Sequence, residues 1–277
     1  MNNAPLVSVC IPVYNAEPFL EETLRSVVAQ TYSNWEMVIT EEGSNDGSRE
    51  TIDRFIRETG DPRIKLHVNE TRLGVAGNWN RGLSLAQGKY VKILCADDTL
   101  EPTCLEKQVA MLEAHPEAVM AACARRIING QSRLLFERDG MRREGLIPGR
   151  EAIEACFRAG TNPIGEPTMV LLRASSMQGM EWINPTMGYC VEIEFWLRLL
   201  LRGDLVYTRE ALASFRVHGK ASTRQLEKQA KADFLRMVQN ISKEANIPLS
   251  PLQYRLLSAK ISLLNQARRM IYRLGNR

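Results

Sequence analysis

Short apolar runs alternate with stretches of helical periodicity over the first hundred residues of the chain. Runs rich in β-branched and aromatic side chains, which favour strands, occupy residues 6–13, 35–40, 64–68 and 89–94. Between these runs, apolar residues recur at helical spacing in 18–30, 48–59 and 77–87. Gly88 follows the last of these helices and is expected to end it. The alternation predicts an α/β fold with a mostly parallel sheet and right-handed crossovers.

The rest of the chain has a weaker pattern. Further elements are predicted as a helix over 102–115, a short apolar helix over 192–201 and a strand near 205–208. The segment 119–190 carries many glycines and arginines and is expected to be less regular. We therefore divide the chain into two halves of one domain and a helical extension, at 1–110, 111–225 and 226–277.

The composition, 44% hydrophobic and 25% charged, is that of an ordinary globular protein. No apolar run is long enough to cross a bilayer. The first residues lack the pattern of a signal peptide, so we expect a cytoplasmic protein. The six cysteines are scattered and include no Cys-x-x-Cys pair, which predicts buried free thiols and neither a disulfide framework nor a zinc site.

The net charge of +4 is distributed unevenly, because residues 245–277 contain no acid. Basic residues there are Arg255, Lys260, Arg268, Arg269, Arg273 and Arg277. Apolar residues recur beside them as Leu256, Leu257, Ile261, Leu264 and Ile271. Such a helix would lie on an anionic membrane, or else pack on the rest of the chain or on a second copy, and both alternatives stay open. Nucleic acid is not an expected partner, since the remaining residues are slightly acidic in sum and show no basic–aromatic pattern.

Two adjacent carboxylates, Asp97 and Asp98, follow the strand-like run 89–94. In open α/β sheets, ligands bind at the carboxyl ends of the strands. Neighbouring carboxylates repel each other unless a cation lies between them, so the pair predicts a divalent metal that also takes phosphate oxygens. The alternative is that Asp98 or Thr99 merely caps the next helix.

A second acidic turn follows the strand-like run 35–40. Glu41 comes at its start, and a carboxylate at that edge can accept hydrogen bonds from a base or a ribose. The alternative interpretation is a solvated turn in which Ser48 caps the following helix.

The short apolar helix carries two acids with different surroundings. Glu192 shares a helix face with Trp196, and a carboxylate there is costly unless it lines a pocket, which favours a proton acceptor. Glu194 precedes Arg198 by one helical turn, the arrangement of an exposed ion pair. His218 follows a strand-like stretch and is either a structural histidine or a group near the metal.

The order of these motifs resembles that of the family 2 glycosyltransferases, inverting enzymes that use nucleotide-sugars and have the GT-A fold. The matching segments are VSVCIPVYN over 7–15, SVVAQTY over 26–32, EEGS over 41–44, the loop 69–82, ADD over 96–98, the helix from Glu192, and FRVH over 215–218. Together they cover about residues 5–225. The resemblance implies a GT-A-type, Rossmann-like mixed sheet, mostly parallel and flanked by helices, with a C-terminal helical extension.

The resemblance implies that residues 1–110 bind the nucleotide-sugar. The residues implied to contact the nucleotide are Pro12, Tyr14, Asn15, Glu41, Glu42 and Asn80. Asp97 and His218 are implied to hold Mg²⁺ or Mn²⁺. Asp98 is implied to lie near the donor sugar or the metal.

Residues 111–225 are implied to bind the acceptor. Glu192 falls at the base that deprotonates the acceptor hydroxyl, and Glu166 and Trp196 are implied to lie near the acceptor. The implied partners are a UDP-sugar donor and a glycan or lipid-linked acceptor, with a membrane surface through 245–277 and a homodimer as further candidates. The implied setting is the synthesis of surface polysaccharide or another glycan on the cytoplasmic side.

Two departures from the family pattern affect the chemistry. Cys95 replaces the first acid of Asp-x-Asp, and a thiol is a poor ligand for a hard cation. Glutamate replaces aspartate at 41, 42 and 192, which moves each charge by one methylene. They leave open a non-catalytic nucleotide-sugar-binding module. A sugar-phosphate nucleotidyltransferase is the weaker alternative, because PVYN over 12–15 stands where such enzymes have a Gly-rich phosphate loop.

Overall fold

The chain folds around one ten-stranded mixed sheet in the computed structural model, which describes residues 4–218 and 229–274, with side chains described as far as residue 266. The strands are β1 Val7–Val13, β2 Trp35–Glu41, β3 Ile64–Val68, β4 Tyr90–Ile93, β5 Thr99–Leu100, β6 Ala118–Asn129, β7 Leu134–Arg138, β8 Gly145–Ile147, β9 Val170–Arg173 and β10 Asp204–Val217. Their order is β3-β2-β1-β4-β9-β6-β10-β5, with β7 on β6 and β8 on β10.

The first half of the sheet is parallel, as the alternation predicted. β1 pairs with β2 and β4, and β2 pairs with β3, all in parallel. The carboxyl ends of β1, β2 and β4 therefore meet at one edge, where the polar turns that follow them come together. Gly88 does not end the preceding helix, which stops at Leu85. A Cβ at Gly88 would lie 2.7 Å from the carbonyl oxygens of Leu6 and Tyr90, so glycine is needed for close passage beside β1.

The second half of the sheet is antiparallel in most places, and of its strands only part of β10 was predicted individually. β6 is a long buried strand within the segment expected to be irregular, and it pairs in parallel with β10 and antiparallel with β9. β10 extends well beyond the predicted 205–208, with register shifts between Thr208 and Ala213. The shifts break the alternation of side chains along β10, which hides its length from a period-based prediction.

Helices cover both faces of the sheet. They are α1 Leu20–Val28, α2 Ser48–Thr59, α3 Gly74–Leu85, α4 Cys104–Ala114, α5 Gly149–Ala159, α6 Val191–Leu200, α7 Ala230–Glu244 and α8 Pro251–Leu274. Short 3₁₀ turns lie at Pro167–Met169, Ala174–Met177 and Pro185–Cys190. One apolar core lies between the sheet and α1, α2 and α4, and a second lies between the sheet and α3, α5, α6 and α7. All six cysteines are free, and only Cys95 is not fully buried, which confirms the predicted thiols.

The C-terminal extension packs on the domain through part of its predicted apolar face. Leu257 and Ile261 are buried, with 7% and 2% of their surface exposed, next to Gly160 at the end of α5. Leu256 faces solvent instead, with 62% exposed. Ile271 and the arginines at 268, 269, 273 and 277 lie outside the described side chains. Among the helices of residues 4–218 and 229–274, none combines the length and apolar character needed to span a bilayer.

Candidate active site

The turn that joins β4 to β5 carries the two adjacent acids. The amide of Asp98 donates to the carbonyl of Cys95 at 3.1 Å, which closes the turn. The Thr23 hydroxyl of α1 lies 3.0 Å from the carbonyl oxygen of Ala96 and 2.8 Å from that of Asp98. Helix α1 therefore supports the turn from one side, at the carboxyl edge of the parallel strands.

Asp97 faces His218, which directly follows β10. The two residues are 121 positions apart in sequence, yet Asp97 Oδ2 and His218 Nε2 lie 2.9 Å apart. Both side chains are partly accessible, with 31% and 15% exposed. The structure thus brings together the two residues predicted as metal ligands and leaves solvent access to them.

Asp98 has a different environment, since its side chain is fully buried. Its carboxylate accepts hydrogen bonds from the Thr168 hydroxyl at 2.6 Å and the Arg216 amide at 2.9 Å. Burial and the neighbouring Asp97 raise the pKa of Asp98 well above its ordinary value, while these two hydrogen bonds oppose the rise. Neither Asp98 nor Thr99 caps α4, whose N-cap is Thr103. Asp98 holds the turn from beneath with its side chain enclosed, and its predicted place near the donor sugar or the metal stays a prediction.

Cys95 completes a cluster that could hold a metal ion: the ligand atoms of Cys95, Asp97 and Asp98 lie within 4.8 Å of one another. Burial, and then the charges of Asp98 and Asp97, raise the pKa of the Cys95 thiol well above its ordinary value. The charge of Glu192 raises the same pKa further. Glu192 of α6 thus influences Cys95 in the turn 95–98, the predicted metal-binding turn (the metal turn below), although the two lie far apart in sequence.

Glu192 lies in the first turn of α6. It is partly exposed, whereas the residues on either side of it in the helix are buried. The preceding 3₁₀ turn is kinked at Gly188, which has φ of 45° and ψ of −103°. Asp233 of α7 accepts a hydrogen bond from the Tyr189 amide at 3.1 Å. The entry into α6 is thus fixed by a residue of the C-terminal extension.

Glu194 corrects a prediction. It does pair with Arg198, through Oε1 to Nε at 2.8 Å and Oε2 to Nη2 at 2.9 Å, but only 7% of its side chain is exposed. Burial raises the pKa of Glu194 and the arginine opposes the rise. The ion pair is buried because α6 is enclosed on nearly all sides.

Most residues predicted to contact the nucleotide lie at the ends of β1 and β2, in what we call the nucleotide corner; their role stays a prediction. Glu42 accepts hydrogen bonds from the amides of Leu73 and Gly74 at 2.8 and 2.9 Å, so it ties β2 to the start of α3. The guanidinium of Arg72 lies 3.7 Å from the centre of the Tyr14 ring. Arg72 was not predicted, although a basic residue within the 69–82 loop was visible in the sequence.

The other residues of this corner have mainly local partners. Glu41 is buried and accepts from the Ser44 amide. Asn15 has a positive φ of 51° and accepts from the Asn45 amide at 2.9 Å. Pro12 lies near the end of β1, opposite Thr40 of β2. Tyr14 directly follows β1, the strand that carries Pro12.

The Asn80 side chain bonds to the backbone of Ile183, and its predicted contact with the nucleotide stays a prediction. Its amide nitrogen donates to the Ile183 carbonyl at 2.9 Å, and its oxygen accepts from the Ile183 amide at 2.9 Å. Asn78 instead lies beneath the nucleotide corner, where it donates to the Thr40 carbonyl at 3.1 Å and accepts from Asn69 at 2.9 Å. Helical spacing alone could not tell these two asparagines apart.

The segment 162–167 lies between the metal turn and α6. Glu166 is partly exposed and pairs with the buried Arg125, and its charge contributes to the raised pKa of Asp98. Trp196 is only 1% exposed and donates to the Gly165 carbonyl at 3.2 Å. Trp196 therefore holds this segment in place, while Glu166 presents its carboxylate toward the site.

Residues 8–179 match the sequence model of glycosyl transferase family 2, which is more than half of the chain. The chain belongs to this family. One curated relative is EpsE of Bacillus subtilis, which is provisionally named a glycosyltransferase. It is 32% identical to this chain over 81% of this chain and 78% of its own length. TuaG of the same organism, provisionally named for teichuronic acid biosynthesis, is 31% identical over 83% of this chain and 86% of its own length.

A shorter match of the glycosyltransferase is to WfgD of Escherichia coli, named a UDP-Glc:alpha-D-GlcNAc-diphosphoundecaprenol beta-1,3-glucosyltransferase. It is 38% identical over 39% of this chain and 41% of its own length.

Solved structures support the GT-A fold of this glycosyltransferase. A fragment of S. aureus TarS in complex with UDP-GlcNAc superposes with a TM-score of 0.69 and 18% identity, covering 92% of this chain and 71% of that one. The mannosyltransferase PcManGT from Pyrobaculum calidifontis, in complex with GDP-Man and Mn²⁺, gives a TM-score of 0.66 and 18% identity, covering 99% and 74%. The predicted fold class is confirmed, including the mixed sheet flanked by helices and the C-terminal helix.

Proposed function

We propose that this family 2 glycosyltransferase moves a sugar from a UDP-sugar to a hydroxyl group, with inversion at the anomeric carbon and with a divalent metal. The carrying observation is the convergence of Asp97 and His218, whose Oδ2 and Nε2 atoms lie 2.9 Å apart, at the carboxyl edge of the parallel strands. In this proposal residues 1–110 bind most of the donor, and residues 111–225 supply the base, the acceptor contacts and His218.

The donor atoms present fit a divalent cation. Asp97 and His218 would hold it, because a carboxylate oxygen and an imidazole nitrogen from separate elements converge and remain partly accessible. Carboxylates suit Mg²⁺ and Mn²⁺, and the imidazole favours Mn²⁺ of the two. When bound, such an ion neutralises charge on the departing diphosphate. A thiol is a poor ligand for a hard ion, so Cys95 would not be one of its ligands.

In the proposed reaction, Glu192 accepts the proton of the acceptor hydroxyl. The acceptor oxygen forms a bond to the anomeric carbon from the face opposite the diphosphate. The bond between that carbon and the diphosphate oxygen breaks, and its electron pair leaves with UDP. The product is the glycoside of opposite anomeric configuration, with the proton on Glu192.

The proposed acceptor is a glycan or lipid-linked glycan for surface polysaccharide synthesis. WfgD, which acts on a diphosphoundecaprenol-linked sugar by name, and TuaG, provisionally named for teichuronic acid biosynthesis, support this class. Glu166 would accept a hydrogen bond from an acceptor hydroxyl, with Arg125 holding its carboxylate in place.

The donor base is tested by thermal unfolding with UDP, GDP, ADP and CDP, each with and without Mn²⁺. UDP at one hundred times its dissociation constant should stabilise the fold by about 2.7 kcal/mol, which corresponds to a rise of roughly 5 °C or more in Tm. Mn²⁺ should enlarge the shift for UDP. A larger shift with GDP would contradict the uridine assignment, and no shift with any nucleotide would contradict the proposed function.

A membrane surface is the proposed additional partner. Leu252, Leu256 and Leu263 of α8 are exposed by 66%, 62% and 66%, and their spacing places them on one face of the helix. Arg255 is exposed beside them, and residues 245–277 contain no acid, so the charge complements an anionic bilayer.

Replacing these three leucines by serine should lower co-sedimentation with phosphatidylglycerol vesicles, since each inserted leucine contributes at most about 1.5–3 kcal/mol. The matched control replaces Leu134, Leu135 and Phe136 of β7, which are exposed to a similar degree. The proposal would be contradicted if both triple variants lost co-sedimentation equally, or if the α8 variant kept it in full. If the wild-type protein forms a concentration-dependent dimer and the α8 variant does not, the exposed leucines bind a second copy of the chain instead of a membrane.

A further inference from the structure

Arg216 is the penultimate residue of β10 and is fully buried. The proposed reaction gives it no role. Its backbone amide donates to Asp98 Oδ1 at 2.9 Å, and its Nε donates to the Asp97 carbonyl at 2.7 Å. One residue therefore holds both members of the acid pair, one through its backbone and the other through its side chain.

The rest of the guanidinium connects the metal turn to two other segments. Nη1 donates to the Asn129 carbonyl at 3.2 Å, at the end of β6, and to the Ser132 hydroxyl at 2.8 Å, in the turn to β7. Nη2 donates to Glu22 Oε2 of α1 at 2.7 Å, and the Ser132 hydroxyl donates to the same oxygen at 2.7 Å. The planar fork thus fixes three chain segments relative to one another.

Arg216 also reaches His218 through an aromatic ring. Its guanidinium carbon lies 4.7 Å from the centre of the Phe19 ring. The Phe19 ring in turn lies 4.7 Å from the His218 ring, at 52° between the planes. Phe19 is held between the cation and the imidazole, so the orientation of His218 depends on the position of Arg216.

Arg173 is a second arginine with several backbone partners, and it serves as a structural comparison for Arg216. Its guanidinium donates to the carbonyls of Leu112, His115 and Ala118 and lies 5.5 Å from the Tyr90 ring centre. The hydrogen-bonding pattern is the same in kind, but none of these partners belongs to the site. The contrast separates stabilisation of the fold from placement of the ligands.

We propose that Arg216 is a positioning residue of the donor site, which holds the Asp97 backbone and, through Phe19, the His218 ring so that carboxylate and imidazole meet on one cation. The inference rests on the proposed metal-dependent function. Lysine in its place would keep the charge but lose the planar set of guanidinium N–H donors. A single ammonium group could not hold Asp97, Ser132 and Glu22 together.

The test compares Arg216→Lys with the matched Arg173→Lys variant in the full chain. Mn²⁺ binding in the presence of UDP is measured by the loss of the free Mn²⁺ electron paramagnetic resonance signal. Arg216→Lys should raise the Kd for Mn²⁺ about 10-fold to 100-fold, the usual effect of losing a partner that orients a ligand. Arg173→Lys should leave this Kd within about twofold, because distant sites act independently. UDP binding without metal should be unchanged in both.

An unchanged Kd in Arg216→Lys, or an equal rise in both variants, would overturn the inference. If Arg216→Lys does not fold, Glu22→Gln provides the second measurement, because Glu22 is 46% exposed and touches the network from its surface side. A raised Kd in Glu22→Gln supports the network, and an unchanged Kd overturns it. Failure of the wild-type protein to bind Mn²⁺ with UDP would instead overturn the metal-dependent function itself, before any variant is compared.

Discussion

Replacing Glu192 by glutamine is expected to lower the rate of sugar transfer by about 10²–10⁴-fold, the usual contribution of a positioned general base. Glutamine keeps the shape of the side chain but cannot accept the acceptor proton. Glu192 is a partly exposed acid at the start of a mostly buried helix, and its charge raises the pKa of Cys95 in the metal turn. UDP binding should remain, because the nucleotide corner lies on β1, β2 and α3.

The measurement is the single-turnover rate of transfer on an identified donor and acceptor, with the anomeric configuration of the product followed by nuclear magnetic resonance. Glu154→Gln on α5 is the control, since this carboxylate pairs with Arg150 and Arg158 on the surface. Near wild-type transfer by Glu192→Gln would exclude it as the base. A product with retained configuration would contradict the inverting mechanism whatever the rate.

Asp97→Asn is expected to produce the second large loss. The substitution removes the negative charge opposite His218 while leaving an oxygen of similar size, so the proposed cation loses its carboxylate ligand. Loss of several kcal/mol of charge stabilisation corresponds to a fall in kcat/KM on the order of 10³-fold at fixed Mn²⁺. Because the lost interaction involves the cation, higher Mn²⁺ concentrations should recover part of the activity.

The measurement is kcat/KM across a Mn²⁺ titration, together with calorimetry of UDP binding with and without the ion. Asp53→Asn is the matched control, as Asp53 forms a surface ion pair with Arg49 on α2. Metal-independent activity that survives in Asp97→Asn would show that transfer does not require the proposed ion.

The parallel half of the fold was predictable because its signals are local. Strands β1 to β4 are compact apolar runs, and helices α1 to α3 between them have clear periods. β6 was missed because AVMAACARRIIN is rich in alanine, which has a low strand propensity, and its burial comes from β9 and β10 on either side. Pairing with distant strands decides that structure, and periodicity cannot report it.

The candidate site was partly predictable. The resemblance to family 2 glycosyltransferases contributed more to that prediction than the residue pattern alone. The meeting of Asp97 with His218 follows from family motifs, since spacing in the sequence says nothing about such a contact. The different burial of Asp97 and Asp98 depends on Thr168 and Arg216, which arrive from other elements. Glu194 was expected at the surface for the same reason: the neighbours that bury α6 are not encoded in its own pattern.

The hydrogen bond from Tyr189 to Asp233 limits where the enzyme can be truncated and where chimaeras with relatives can be joined. A boundary at residue 226 divides the sequence, but α7 lies beyond it and holds the turn that leads into the helix of Glu192. A shortened enzyme ending there would lose that support at its acceptor side while keeping every family motif. Chimaeras that exchange acceptor specificity between relatives should therefore take α6 and α7 from the same parent.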